Sequence, residues 1–235
     1  MGAIVVKIKF FLLSTCFILF FNVCVSAHVP YFEHRDYSEE KPFVVRKIVT
    51  QSKALYSWLE NDVLNPCEDL DVYRFSLNKP DVMYIEIIVP MVEDYYENFY
   101  PWYALVGPGL PEATHSLPFG IPEGYGVIVK ENVETGEEWE TFYEPFGGKS
   151  YYKGPIFKEN LEQIGQYFIY CWDPDEKGGD YTLVIGNKEI WGPLDILRAF
   201  IYTPLIRLGL ELHLWIIWIY LCFKNYNKIK EIFLR

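Results

Sequence analysis

Carboxylates gather at two places in this chain. Glu68, Asp69 and Asp71 precede one run of alternating apolar and polar residues, and Asp173, Asp175 and Asp180 sit in and after the stretch DPDEKGGD. Calcium takes about six to eight oxygen ligands, which carboxylates and loop carbonyls supply. Asp69, Asp71, Asp173, Asp175 and Asp180 are therefore the candidate Ca²⁺ ligands, provided that folding brings both groups to one edge. The competing use of the same residues is local: Asp and Gly in turns bond to the backbone and tolerate positive φ. A second metal chemistry depends on His28. Cleavage of a leader after Ala27 would leave His28 as the first residue, and its paired amine and imidazole suit Cu(II), with His34 or His115 to complete the site. The aromatic, acidic stretch EDYYENFYPWY (93–103) offers Tyr96, Tyr100, Trp102 and Tyr103 as rings that could contact a sugar or a partner protein.

Catalytic signatures are missing. The chain has no Gly-x-Ser-x-Gly elbow and no His-Glu-x-x-His. Gly107-Pro108-Gly109 lacks the Lys-Ser/Thr that a phosphate-cradling loop needs. The expectation is a binding protein and not an enzyme, with no cofactor beyond a possible Ca²⁺.

The two ends of the chain set its address. Lys7 and Lys9 precede an apolar run from Phe10 to Phe21, and Val25-Ser26-Ala27 supplies small residues for cleavage, so residues 1–27 read as a secretory signal. Residues 204–223 (PLIRLGLELHLWIIWIYLCF) are long enough for one transmembrane helix, since twenty helical residues span about 30 Å. Arg207 and Glu211 lie near the first end and four apart, where they can pair. Residues 193–203 read as a short juxtamembrane helix with Pro193 in its first turn. The tail 224–235 carries a net charge of +3, which favours the cytoplasmic side. Residues 28–192 would then be an extracytoplasmic domain of a single-pass cell-membrane protein.

That domain is acidic. Residues 28–193 hold 29 Asp or Glu and 13 Lys or Arg, a net of −16. Such a body repels phosphate polyanions, which argues against a nucleic-acid partner. Cys67 and Cys171 are its two cysteines, and an oxidising compartment would permit a disulfide between them.

Period-two alternation, rich in Tyr, Phe, Val and Ile, predicts strands at 43–49, 53–58, 71–78, 82–90, 102–107, 125–130, 139–145, 165–172 and 180–186. Asn78–Asp81, Glu134–Glu137 and the DPDEKGGD stretch read as hairpin turns. The fold class expected is all-β, an antiparallel, jelly-roll-like β-sandwich followed by the C-terminal transmembrane helix. The Pro-rich stretch 107–123 reads as a long irregular loop, a place where function often sits.

The run DLDVYRFSL (69–77), a turn and MYIEIIV, together with GQYFIY (165–170) and GDYTLVI (179–185), resembles bacterial pre-peptidase C-terminal domains. The likeness covers residues 68–90 and 165–186, with a long insertion at 107–160. It implies a secreted sandwich module that assists an enzyme and in some cases holds calcium, although no enzyme domain accompanies it here. The expected function is a membrane-anchored binding or accessory module for a surface protein or glycan, with metal binding as the alternative.

Overall fold

The computed structural model describes residues 28–46, 48–60, 69–92, 99–114, 116–132, 140–144, 148–199 and 202. The expected signal peptide, transmembrane helix and basic tail lie outside these residues, as do Cys67, Tyr96 and His115. Among the described residues no helix is long and apolar enough to cross a membrane.

Among the described residues eleven strands form two sheets. The first has the order β1 (Val29–Phe32), β3 (Lys53–Leu59), β11 (Gly179–Ile185), β5 (Asp81–Pro90), β9 (Lys149–Leu161), β8 (Thr141–Glu144). The second has the order β2 (Phe43–Val44), β4 (Asp71–Leu77), β10 (Gly165–Trp172), β6 (Trp102–Pro108), β7 (Tyr125–Lys130). Alternate residues of each strand face inward. Leu55, Ile85 and Leu183 from one sheet and Phe75, Leu105 and Ile169 from the other fill the shared core. Phe75 and Tyr167 stack there at 5.4 Å and 9°. The chain is thus an all-β sandwich, as its alternation predicts.

Its connections differ from the expectation. β4 and β5 lie in different sheets, as do β10 and β11. The turns at Asn78–Asp81 and 173–178 are therefore crossings between sheets and not hairpins. β7 and β8 are also in different sheets. Observed hairpin pairs are β6 with β7 and β8 with β9. The sandwich is not wholly antiparallel either: β1 pairs with β3, and β2 with β4, in parallel.

The 109–124 loop is a cover. Leu117, Phe119 and Ile121 pack on the outer face of the second sheet, over Val106, Tyr170 and Trp172. Phe119 stacks on Tyr170 at 3.9 Å and 6°. Gly126 permits this close approach: a Cβ there would lie 2.0 Å from the Leu110 carbonyl oxygen.

After β11 the chain forms a short helix, α1, at 193–199. Asp195 anchors its start, accepting from the Gly192 amide at 3.1 Å and from Gln51 Nε2 at 3.0 Å.

Candidate functional site

Residues 33–42 cross from the edge of the first sheet to the edge of the second. On one side the Glu33 amide donates to Tyr56 O at 2.8 Å, extending the β1–β3 pairing by one residue. On the other, Tyr37 O accepts from the Val72 amide at 2.5 Å and Val45 N donates to Arg74 O at 2.8 Å. This strap closes the open side of the sandwich. It tucks Glu33 and Tyr37 inward and leaves His34, Arg35 and Asp36 exposed.

Beneath the strap is a chain of polar groups. The Tyr181 hydroxyl donates to Asp71 Oδ2 at 2.5 Å. Its proton being used there, its oxygen can only accept from Tyr73, 2.8 Å away. Tyr73 in turn accepts from Ser57 Oγ at 2.7 Å. Asp71 is 1% exposed and Cys171, beside it, is fully buried. Glu33 bonds to Asp71 and accepts from the Trp58 amide at 3.2 Å. Burial, with the charges of Asp69 and Asp36 adding, pushes the Glu33 carboxyl from 4.5 up to about 7. Burial, then the Glu33 charge, holds Asp71 well above the usual carboxylate range. Two such acids in contact are most stable when they share a proton. The pair is therefore a clamp between strap and core. Burial and the nearby Asp71 also raise the Cys171 thiol, which favours its neutral, unreactive form.

The same strap borders a cavity of about 410 Å³. Rings of Tyr31, Phe32, Phe43 and Tyr202 form its apolar wall. Arg35, Arg46 and Arg198 supply positive charge around it. Lys53, 1% exposed, also lines it and donates to Ile48 O at 2.6 Å and Gln51 O at 2.9 Å. Tyr31 packs edge-on to Phe43 at 5.8 Å, and the Arg198 guanidinium lies 4.3 Å over the Tyr31 ring. Arg198 also stands 3.8 Å from Asp195 Oδ1. A second cavity of about 180 Å³, lined by Glu33, Trp58, Lys149, Tyr151 and Asp180 among others, opens on the first sheet.

The residues expected to act are placed as follows. The pairing of Cys171 with Asp71 brings Asp69 and Asp71 to the same end of the sandwich as Asp173. They do not form one constellation there, and among the described residues no group of three His, Cys, Asp or Glu is placed to hold a metal. Asp173 serves its own turn, accepting from the amides of Asp175 at 3.1 Å, Lys177 at 2.6 Å and Gly178 at 3.0 Å. Asp175 pairs with Lys177 at 3.1 Å, and Asp180 is exposed on β11 opposite Trp58. Asp69 accepts from the Glu60 amide. His28 Nδ1 is bonded to Ser52 Oγ, and His34 Nδ1 to Phe32 O at 2.9 Å. Tyr103 is a core residue, fully buried, its hydroxyl donating to Ile85 O and Pro155 O at 3.1 Å each, so it presents nothing to a ligand. Trp102 is half-buried, donating to Asn132 O at 3.1 Å and packing edge-on to Trp172. Tyr100 lies under Lys177 at 5.9 Å. Cys171 is a free, buried thiol, and the possible bridge to Cys67 falls on a residue outside those described.

Glu33 and the cationic cavity carried no motif. The signal for the cavity is charge density: four of the 13 Lys or Arg in 28–193 fall within residues 35–47, and two of them, Arg35 and Arg46, line it.

No family model and no curated protein matches the chain. Among solved structures, the chain is similar to the pre-peptidase C-terminal domain of a collagenase from Bacillus anthracis, at 13% identity and a TM-score of 0.30, covering 66% of this chain and 98% of that one. It is also similar to the copper-binding secreted protein MopE of Methylococcus capsulatus, at 11% identity and a TM-score of 0.26, covering 60% of this chain and 85% of that one.

Proposed function

We propose that the chain is a membrane-anchored extracytoplasmic module that works by binding, as a non-catalytic recognition or accessory unit for a surface protein or glycan. The observation that carries this reading is the composition of the 410 Å³ cavity. Rings and cationic donors line it, and among the described residues no carboxylate, serine, threonine or cysteine does. Such walls hold a ligand but provide no paired nucleophile and base. The volume falls in the range of about 300–1,000 Å³ typical of small-ligand sites. The leader-like residues 1–27, the apolar span 204–223 and the basic tail support the tethered, outward-facing arrangement. The resemblance of residues 68–90 and 165–186 to pre-peptidase C-terminal domains supports an accessory role.

The test is binding of the full-length chain to the cell-envelope fraction of its source, with Val44→Trp as the blocking variant. Val44 lines the cavity from the exposed edge strand β2, so an indole there fills the cavity from outside the core. Saturable binding by the wild type that the variant loses is expected. Equal binding by both, or by neither, contradicts the reading.

A further inference from the structure

We propose that the cavity between the strap and α1 takes an acidic sugar residue, one bearing a single carboxylate or sulfate. The inference rests on the binding role proposed above and names the ligand class of that site.

Charge is the first argument. Residues 28–193 carry a net of −16, yet Arg35, Arg46, Lys53 and Arg198 converge on this one cavity, and among the described residues no acid lines it. Neither Arg35 nor Arg46 forms an ion pair among the described residues. Guanidinium groups present a planar fork that matches carboxylate and sulfate oxygens, and charge-assisted bonds of this kind are about twice as strong as neutral ones.

The rings are the second argument. Tyr31, Phe32, Phe43 and Tyr202 are only partly buried, so apolar faces remain available beside the cations. Phe32 stacks on Tyr56 at 4.9 Å and meets Tyr202 at 5.1 Å, which fixes the wall. A bare inorganic anion has nothing to place against these rings, whereas the C–H face of a sugar does. The remaining surface discriminates in the other direction. A polyanion such as a nucleic acid or an anionic lipid sheet must approach the whole acidic domain, while a single charge on a small ring meets only the cavity.

The experiment is calorimetric titration of the full-length chain in detergent with cellobiouronic acid and with cellobiose, which share a skeleton and differ in the carboxylate. The acidic sugar should bind about tenfold or more tightly, and Arg35→Ser and Arg46→Ser, both on exposed positions, should each weaken it about tenfold without lowering the melting temperature. Inorganic sulfate should compete. Equal affinity for both sugars overturns the acid selectivity while leaving the binding role intact. Unchanged affinity in the two arginine variants, or stronger displacement by an acidic peptide than by sulfate, overturns the assignment. No heat with either sugar also overturns it, and the binding role then falls only if the envelope fraction is not bound.

Discussion

Tyr181 and Asp71, 110 positions apart, meet at 2.5 Å across the interior of the sandwich, phenol to carboxyl. One residue comes from each sheet, so this bond ties the sheets together at the end where the strap crosses. Tyr181→Phe removes the donor from Asp71 and the acceptor from Tyr73, both buried. Loss of a buried partner costs about 1–3 kcal/mol. Urea denaturation should show a loss in that range at unchanged m-value, and a loss under about 0.5 kcal/mol would mean the chain of hydroxyls is re-satisfied by water.

The acid pair makes stability depend on pH in a defined direction. Glu33 in the folded chain is pushed up to about 7 from an ordinary value of 4.5. A raised carboxyl holds its proton where the unfolded chain has already lost it. Its contribution is complete below about pH 4.5 and fades as pH rises to about 7. Over that window the wild type should lose stability more steeply than Glu33→Gln, which does not titrate. Identical slopes in thermal melts of the two proteins would remove the clamp.

The cover on the second sheet should be separable from the core. Phe119 is half-buried, so Phe119→Ala gives up part of a side chain and the stack on Tyr170, about 1–3 kcal/mol together. Trp172, 6% exposed, loses its edge contact with Phe119 and should fluoresce further to the red. A melt and an emission spectrum that both match the wild type would show that the loop does not cover this face.

Two glycines of the same region should differ sharply on substitution. Gly126→Ala drives a Cβ into the Leu110 and Pro111 carbonyls, while Gly120 faces open space. The first change should cost about 1–3 kcal/mol by overpacking and the second little. Equal melting temperatures for the two variants would contradict the seating of the loop on β7.

Much of this architecture is legible in the chain. Alternation marks β3, β4, β5, β6, β7, β10 and β11 within a residue or two, because each has one face in the core. Alternation says nothing about which sheet a strand joins, and so the crossings after Leu77 and Trp172 read as hairpins. β9 escapes the pattern because Gly154 and Pro155 interrupt it. The interruption falls where the β5–β9 register shifts at Glu86–Ile88, and a Cβ at 154 would lie 2.6 Å from Ile87 O. Such positions in strands mark bulges. The predicted strand 43–49 shrinks to β2, since only its first residues reach β4. β1 is four residues long and contains Pro30, which fits an edge strand but gives no alternating signal. The site was less legible. Asp71 stood out as an acid, but its partner Glu33 is 38 positions earlier and carries no motif. The cavity draws on residues 31, 32, 34, 35, 37, 42–46, 53, 198 and 202, and no local spacing joins these.

Amide hydrogen exchange of the full-length chain, with and without its source's envelope fraction, tests the central claim most directly. If the sandwich holds its ligand between strap and α1, protection should rise in 31–46 and 193–202 and stay level at the opposite edge strands β7 and β8. Protection confined to β7, β8 or the 109–124 cover, with 31–46 unchanged, would contradict the account.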